Sequence, residues 1–371
     1  MLLAGLLLLA LGAGYSFLKG TESSLKDAFA PKFLIGGALN DAVVSGDDPK
    51  AAEIVLRHYN SITPENVMKW EHIHPGPGKF SFVAADRLVD FGMKHNMVVI
   101  GHTLVWHSQI PDWAFLDAAG QPAGRDTMLA RMREHITAVV GRYKGTVRGW
   151  DVVNEAFEDD GTFVKSGWLK AIGEDYIAKA FEYAHDADQG AELYYNDFSL
   201  DKPAKRDAVV RLVRDLKKRG LRVDAVGIQG HWGMDYPTKA DFDAFADSVK
   251  ATGLKLMVTE LDVDILPAAW NYTGADVNAR VELQKELNPY PAGLPGEKQQ
   301  ELARRYGELF SMILDHAENI QRVTFWGVYD KTSWLNNWPV RGRTSYPLLF
   351  DRNYQPKPAF DAVIKSVQGK K

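Results

Sequence analysis

The stretch Leu254-Lys255-Leu256-Met257-Val258-Thr259-Glu260-Leu261-Asp262 decides how this chain is read. A short apolar, β-branched run, Leu254–Thr259, has the character of a buried strand, and it delivers a carboxylate, Glu260, where that strand ends. The stretch Val147-Arg148-Gly149-Trp150-Asp151-Val152-Val153-Asn154-Glu155 repeats the plan: strand Val147–Val153, then Asn154 and Glu155. Working outward, the same signature recurs at Phe33–Ala38, Ser61–Thr63, Met97–His102, Ala191–Asn196, Ala225–Gln229 and Val323–Trp326. Between these runs lie Ala84–Lys94, Met128–Tyr143, Asp175–His185, Lys205–Arg219, Lys239–Ala251 and Lys298–Ala317. Each carries apolar residues at three- and four-residue spacing with charges opposite, the pattern of a helix buried on one face. Eight strands alternating with helices predict an α/β fold, a single parallel (β/α)₈ TIM barrel.

Such a barrel places functional side chains at the carboxyl ends of its strands, and the polar residues of this sequence gather there. Glu65, Asn66, Lys69 and Trp70 follow the second strand; His102, Trp106, His107, Gln109 and Trp113 follow the third. The fourth delivers Asn154 and Glu155, the fifth Tyr195, Asn196 and Asp197, and the sixth Gln229 and His231. Glu260 and Asp262 belong to the seventh, and Trp326 to the eighth. Residues 21–371 contain no linker, low-complexity segment or second domain. The longest irregular piece, Leu266–Gly296, is rich in Pro, Asn and Gly and is expected as a loop on the functional face.

Composition narrows the function classes. The 371 residues, 46% of them hydrophobic, are enough for one large core. A net charge of -4 argues against a nucleic-acid footprint, which needs a basic face. Ten Trp, beside 14 Tyr and 17 Phe, suit a groove that stacks on flat-faced ligands such as sugars. The absence of cysteine excludes disulfides, zinc–thiolate sites and a thiol nucleophile, and leaves the compartment open. Residues 1–20 are apolar and uncharged up to Leu18, with the run Leu6-Leu7-Leu8-Leu9 followed by Gly12, Ala13 and Gly14. That segment reads as a signal peptide, which makes the protein secreted or periplasmic. No Lys or Arg precedes the run, and its length approaches the lower limit for spanning, so an amino-terminal membrane anchor is the alternative.

Two carboxylates carried to one face of a barrel are the minimum equipment for splitting a glycosidic bond. One must be protonated near neutral pH to donate to the leaving oxygen; the other must be ionised to attack the anomeric carbon. His231 and Asp262 are the neighbours expected to hold Glu260 charged, and Glu155 then feels a negative group across the site, which favours its acid form. Asn154 is placed to hydrogen-bond a sugar 2-hydroxyl. His102, His107 and His231 read as hydrogen-bonding groups rather than metal ligands. The first strand ends Gly36-Gly37-Ala38-Leu39-Asn40-Asp41, without the paired histidines of a barrel metallohydrolase. Lys69, in an aromatic and amide-rich segment, reads as a ligand contact, and Trp106, Trp326 and Trp334 as stacking platforms. Each has a plainer alternative: a rim salt bridge for a glutamate, turn chemistry for Asn154 or Glu65, core packing for any one Trp.

These residues form a pattern. Thr63-Pro64-Glu65-Asn66-Val67-Met68-Lys69-Trp70 resembles the motif after the second strand in glycoside hydrolase family 10, the xylanase family. Gly101-His102-Thr103-Leu104-Val105-Trp106-His107-Ser108-Gln109 resembles its third-strand motif, and Trp150–Ala156 its acid/base motif. Gly227-Ile228-Gln229-Gly230-His231 and Val258–Val263 resemble its sixth-strand and nucleophile motifs. The likeness runs from about Phe29 to Phe360, with the five motifs in order. It implies a retaining endo-1,4-β-xylanase without a cofactor, acting on xylan and xylo-oligosaccharides as a monomer. It further implies Glu155 as acid/base and Glu260 as nucleophile. Glu65, Asn66, Lys69, His102, Trp106, Gln229, Trp326 and Trp334 would then line the glycone side. Asn154, His107, His231 and Asp262 would support the carboxylates, and Tyr195 would face the leaving sugar. The sequence departs from the family pattern after the eighth strand, where Lys331-Thr332 replaces a Gly and an acidic residue near Trp334. A barrel glycosidase acting on another β-linked glucan or mannan, a non-catalytic xylan-binding protein and a metallohydrolase are the competing readings.

Overall fold

The apolar runs become the staves of a barrel. In the computed structural model, which describes residues 23–268 and 280–369, the strands are β1 Leu34–Leu39, β2 Ser61–Pro64, β3 Val98–Val105, β4 Gly149–Asn154, β5 Glu192–Asp197, β6 Ala225–Ile228, β7 His231–Gly233, β8 Lys255–Asp264 and β9 Ile320–Phe325. All pairings between them are parallel, β1 lies between β2 and β9, and β6 pairs with β8 to close the sheet. The short β7 continues the β6 stave after a break at Gln229-Gly230, where Gly230 has a φ of 88°. It pairs with the upper part of β8, His231 opposite Asp262. Counting β6 and β7 as one stave gives the eight-stranded barrel expected from the sequence. The leader reading of residues 1–20 and the middle of the 266–296 loop lie outside the described residues.

One boundary differs in a way that affects the site. β8 continues past Glu260 to Asp264, so this carboxylate lies within a strand rather than at its end. The register between β8 and β9 shifts between Val258 and Leu261, on either side of Glu260. Such an irregularity re-aims a side chain without ending the strand. Glu155 does follow the last residue of β4, as expected.

Side chains alternate across each stave. Ile100, Tyr194, Ala225 and Met257 pack together inside the barrel. Leu193, Tyr195, Leu256 and Val258, one residue out of phase, belong to the larger core between the sheet and its helices. That outer core also receives Ile54 and Val55 from Pro49–His58, Leu88 from Val83–Lys94, Ile136 and Val140 from Arg125–Arg142, and Phe181 from Tyr176–Ala187. Burying each such side chain contributes about 1.5–3 kcal/mol before conformational entropy is counted. Where β3 meets β4 the fit is tight. A Cβ on Gly101 would lie 2.0 Å from the Trp150 ring, so glycine is the residue that lets these staves approach.

Candidate active site

Glu155 leaves β4 with a φ of 55°, a left-handed conformation that a residue with a Cβ adopts only when its surroundings fix it. Its amide donates to the Asn196 carbonyl at 3.0 Å. Its carboxylate is buried and takes two hydrogen bonds: Trp106 Nε1 donates to Oε2 at 2.7 Å and Gln229 Nε2 to Oε1 at 2.8 Å. Trp106 is anchored in turn, because Trp168 Nε1 donates to its carbonyl at 2.8 Å. One carboxyl group is thus held by an indole from the third stave and an amide from the sixth.

Glu260 is gripped from the other side. Asn196 Nδ2 donates to Oε1 at 2.8 Å, and His231 Nε2 lies 3.2 Å from Oε2. The other imidazole nitrogen, Nδ1, lies 3.0 Å from Asp262 Oδ1, while Trp334 Nε1 donates to Asp262 Oδ2 at 2.7 Å. Burial alone would lower the His231 pKa, but the charges and hydrogen bonds of Asp262 and Glu260 overcome it and raise it to about 10. An imidazolium results, both of its N–H groups spoken for. Burial pushes the Glu260 carboxyl up, yet the His231 hydrogen bond, the charges of His102 and His231, and the Asn196 amide together hold it below its ordinary value.

The two glutamates are joined through amides. Asn196 Nδ2 also donates to Asn154 Oδ1 at 2.9 Å, and Gln229 Nε2 reaches the same oxygen at 3.4 Å. Thr259 Oγ1 donates to Asn196 Oδ1 at 2.6 Å, which fixes the amide so that its NH₂ faces Asn154 and Glu260. Around this pair, Lys69 Nζ donates to Asn66 Oδ1 at 2.9 Å and to Gln109 Oε1 at 2.7 Å, and lies 5.2 Å from the Trp106 ring centroid. Burial pulls the Lys69 pKa down against the opposing pull of Glu260, Glu65, Glu155 and Glu71. Glu65, half-buried, is pushed up by desolvation and down by Lys69. His102 Nδ1 lies 2.9 Å from Asp151 Oδ2, and its ring meets Trp326 edge-on at 5.3 Å. Trp334 sits 4.8 Å from His231 and stacks on Trp338 at 4.9 Å. Two carboxylates in distinct polar settings, ringed by indoles, an ammonium and amides, can protonate one oxygen while a nucleophile attacks the carbon bonded to it.

The family profile described as Glycosyl hydrolase family 10 matches residues 24–366. The chain belongs to that family. It is 45% identical to Endo-1,4-beta-xylanase A of Xylanibacter ruminicola over 97% of each chain, and 40% identical to Endo-1,4-beta-xylanase B of Paenibacillus barcinonensis over 92% of this chain and 97% of the relative. Among solved structures, a GH10 endoxylanase from a sugarcane soil metagenome superposes with a TM-score of 0.88 at 43% identity, covering 92% of this chain and 99% of the other. The Paenibacillus barcinonensis xylanase XynB superposes at 0.83 with 38% identity, covering 93% and 99%.

In this family 10 barrel, Glu65, Asn66, Lys69, His102, Trp106, Asn154, Gln229, His231, Asp262, Trp326 and Trp334 stand in one connected neighbourhood around Glu155 and Glu260. Two expected residues behave differently. Tyr195, expected to face the leaving sugar, has no exposed surface and belongs to the outer core. Alternation along β5 explains the correction: Tyr194 and Asn196 face the barrel interior, so Tyr195 faces the helices. The part-exposed aromatic on that stave's exit is Phe198. His107 is half-buried, 6.0 Å from the Trp106 ring, and donates to neither carboxylate. Three residues carry more of the site than the sequence reading assigned them: Asn196, which links the two halves, Thr259, which orients it, and Asp151, which orients His102. Their sequence signal was polarity inside an apolar strand, an arrangement that demands a buried partner. Near Lys331-Thr332, where the motif departs, short helical turns at Asp330–Thr332 and Trp334–Asn336 still deliver the Trp334 indole to Asp262.

Proposed function

We propose that this family 10 hydrolase cleaves internal β-1,4-xylosidic bonds of xylan by double displacement, with Glu260 as nucleophile and Glu155 as acid/base. The observation that carries the reading is the unequal treatment of the two carboxylates. Glu260 takes hydrogen bonds from an imidazolium and an amide, which favours the ionised form an attacking group needs. Glu155, which follows β4 on the opposite side, takes both of its carboxylate hydrogen bonds from neutral indole and amide donors. Glu155 gives its proton to the departing sugar oxygen as Glu260 bonds to the anomeric carbon. Glu155 then takes a proton from the water that releases the glycosyl group, so the configuration is retained. Asn154, held between Asn196 and Gln229, is placed to meet the sugar hydroxyl beside the anomeric carbon. The relatives' names as endo-1,4-beta-xylanases support the choice of xylan. A polymeric substrate and the apolar opening at residues 1–20 together support export from the cytoplasm.

Purified xylan incubated with the wild type should yield a ladder of xylo-oligosaccharides, with the β-anomer formed first by NMR. Glu260→Ala should lower turnover by about ten-thousandfold or more with the circular dichroism spectrum unchanged. Near-normal turnover in that variant removes Glu260 from the nucleophile's role. Faster cleavage of mannan or cellulose than of xylan overturns the substrate assignment.

A further inference from the structure

On the outer wall of β5, behind the acid/base carboxylate, lies a buried polar chain. Lys205 Nζ is 2.7 Å from Asp197 Oδ1, and neither side chain has any exposed area. Tyr195 Oη donates to Asp197 Oδ2 at 2.6 Å, and the Ala156 amide donates to Tyr195 Oη at 3.1 Å. The Phe198 amide adds a donor to Asp197 Oδ1 at 2.9 Å, and the Lys205 ammonium lies over the Phe198 ring. The direction of every bond is fixed. The peptide N–H of Ala156 can only donate, so the hydroxyl must spend its own proton on Asp197, and Lys205 balances the charge there. Burial keeps Tyr195 well above its ordinary pKa, so it remains a neutral donor.

The chain ends on the amide that directly follows Glu155. That residue sits in the left-handed region, with its own amide tied to Asn196 O. The peptide on its carboxyl side is tied by Tyr195. Stability does not account well for such an arrangement, because a fully desolvated ion pair is often no better for folding than apolar side chains of the same size. Lys205 also lies in the first turn of the helix Pro203–Lys218, the end where the helix dipole disfavours a cation. Its position is explained by what it holds.

We propose that Tyr195, Asp197 and Lys205 are positioning residues that lock the backbone at Glu155-Ala156 and so aim the acid/base carboxyl at the leaving oxygen. This rests on the reading of Glu155 as acid/base. Losing the Tyr195 hydroxyl leaves the buried Ala156 N–H unpaired and frees the peptide that sets the direction of the Glu155 side chain. A small error of aim costs most where a proton must be delivered in flight.

The test compares kcat/KM on two aryl β-xylobiosides, with full-length wild type, Tyr195→Phe and Glu155→Ala. Phenol needs a proton to leave; 2,4-dinitrophenol departs without one. Tyr195→Phe should lose about ten- to a hundredfold on the phenyl substrate and less than about threefold on the dinitrophenyl one. The paired variant Lys205→Met/Asp197→Asn, which keeps volume and removes both charges, should show the same contrast. Equal losses on both substrates, or none on the phenyl one, overturn the positioning role when Glu155→Ala still shows the contrast. If Glu155→Ala itself loses both substrates equally, the acid/base reading of Glu155 fails first, and the two failures are told apart.

Discussion

At the scale of the residue, His231 decides how Glu260 is charged. It is held between Asp262 and Glu260 at 3.0 and 3.2 Å, and those carboxylates raise its pKa to about 10 against the effect of burial. The imidazolium returns the favour by keeping Glu260 ionised. His231→Gln keeps a donor of similar reach and removes the charge. In that variant the acid limb of kcat/KM should move to higher pH by about one unit or more, because Glu260 loses the cation that holds it down. An acid limb that stays where the wild type has it shows that the charge of His231 does not set Glu260. Glu155, Glu260 and the polar residues near stave exits were legible in the sequence because each comes after an apolar, β-branched run, even where, as at Glu260, the strand itself continues. Tyr195 does not face the site as the resemblance implied, because adjacent residues on a stave face opposite ways and phase is set by the sheet rather than by the local run. Asp151 and Thr259 act only through His102 and Asn196, partners distant in sequence that pattern alone does not pair.

At the scale of the element, the long amphipathic helices and the apolar staves were readable within a few residues, since period and burial agree there. The helices Pro49–His58 and Pro358–Gln368 were not. Their signals are terminal ones: Asp48 caps the first by accepting from the Ala51 amide, and a proline opens each. The short β7 escaped notice because Gln229-Gly230 interrupts its stave. Close approach between staves is the other hidden quantity, as the β3–β4 contact illustrates. Trp150 is wholly buried and packs where a Cβ of residue 101 would stand, with the nearest ring carbons at 2.0 and 2.2 Å. Gly101→Ala therefore forces a stave or an indole to move, and should cost about 1–3 kcal/mol or more in stability. Urea unfolding should show a lower midpoint at an unchanged m-value. Because His102 is the next residue, kcat/KM should fall as well. A Gly101→Ala variant as stable as wild type would mean that the β3–β4 contact relaxes freely.

At the scale of the whole molecule, buried histidines of opposite sense contribute to how stability responds to pH. Beside them, burial raises Asp197, Asp264 and Asp330 to about 6, so these carboxyls add stability as the pH falls. His74, which follows the helix Trp70–Ile73, and His135, in Arg125–Arg142, meet with Nδ1 atoms 3.3 Å apart and no exposed surface. Trp70 stacks on His135 at 3.7 Å and Phe80 on His74 at 3.9 Å, so the pair lies in an aromatic sandwich beneath the Lys69 segment. Burial lowers His74 to about 4 and, together with the neighbouring His74, holds His135 well below its ordinary value. Burial, Arg57 and Lys26 likewise bring His58 to about 4, opposed only by Asp27. These groups are depressed in the fold, so the unfolded chain binds more protons than the native one below the ordinary histidine value. Their contribution is intact above pH ~6.5 and is lost as the pH falls toward 4, by at most about 1.4 kcal/mol per unit for each group. His231 works in the other direction: raised to about 10, it stabilises below pH ~6.5 and loses that contribution as the pH climbs to 10. Replacing the stacked pair together, His74→Phe with His135→Phe, removes both titrations without leaving either nitrogen facing an unpaired partner. The melting temperature of wild type relative to this variant should fall steadily between pH 6.5 and 4.5. A difference that stays constant across that range would exclude the histidine pair as a source of acid lability and leave His58 and the depressed carboxyl of Glu260 to account for it.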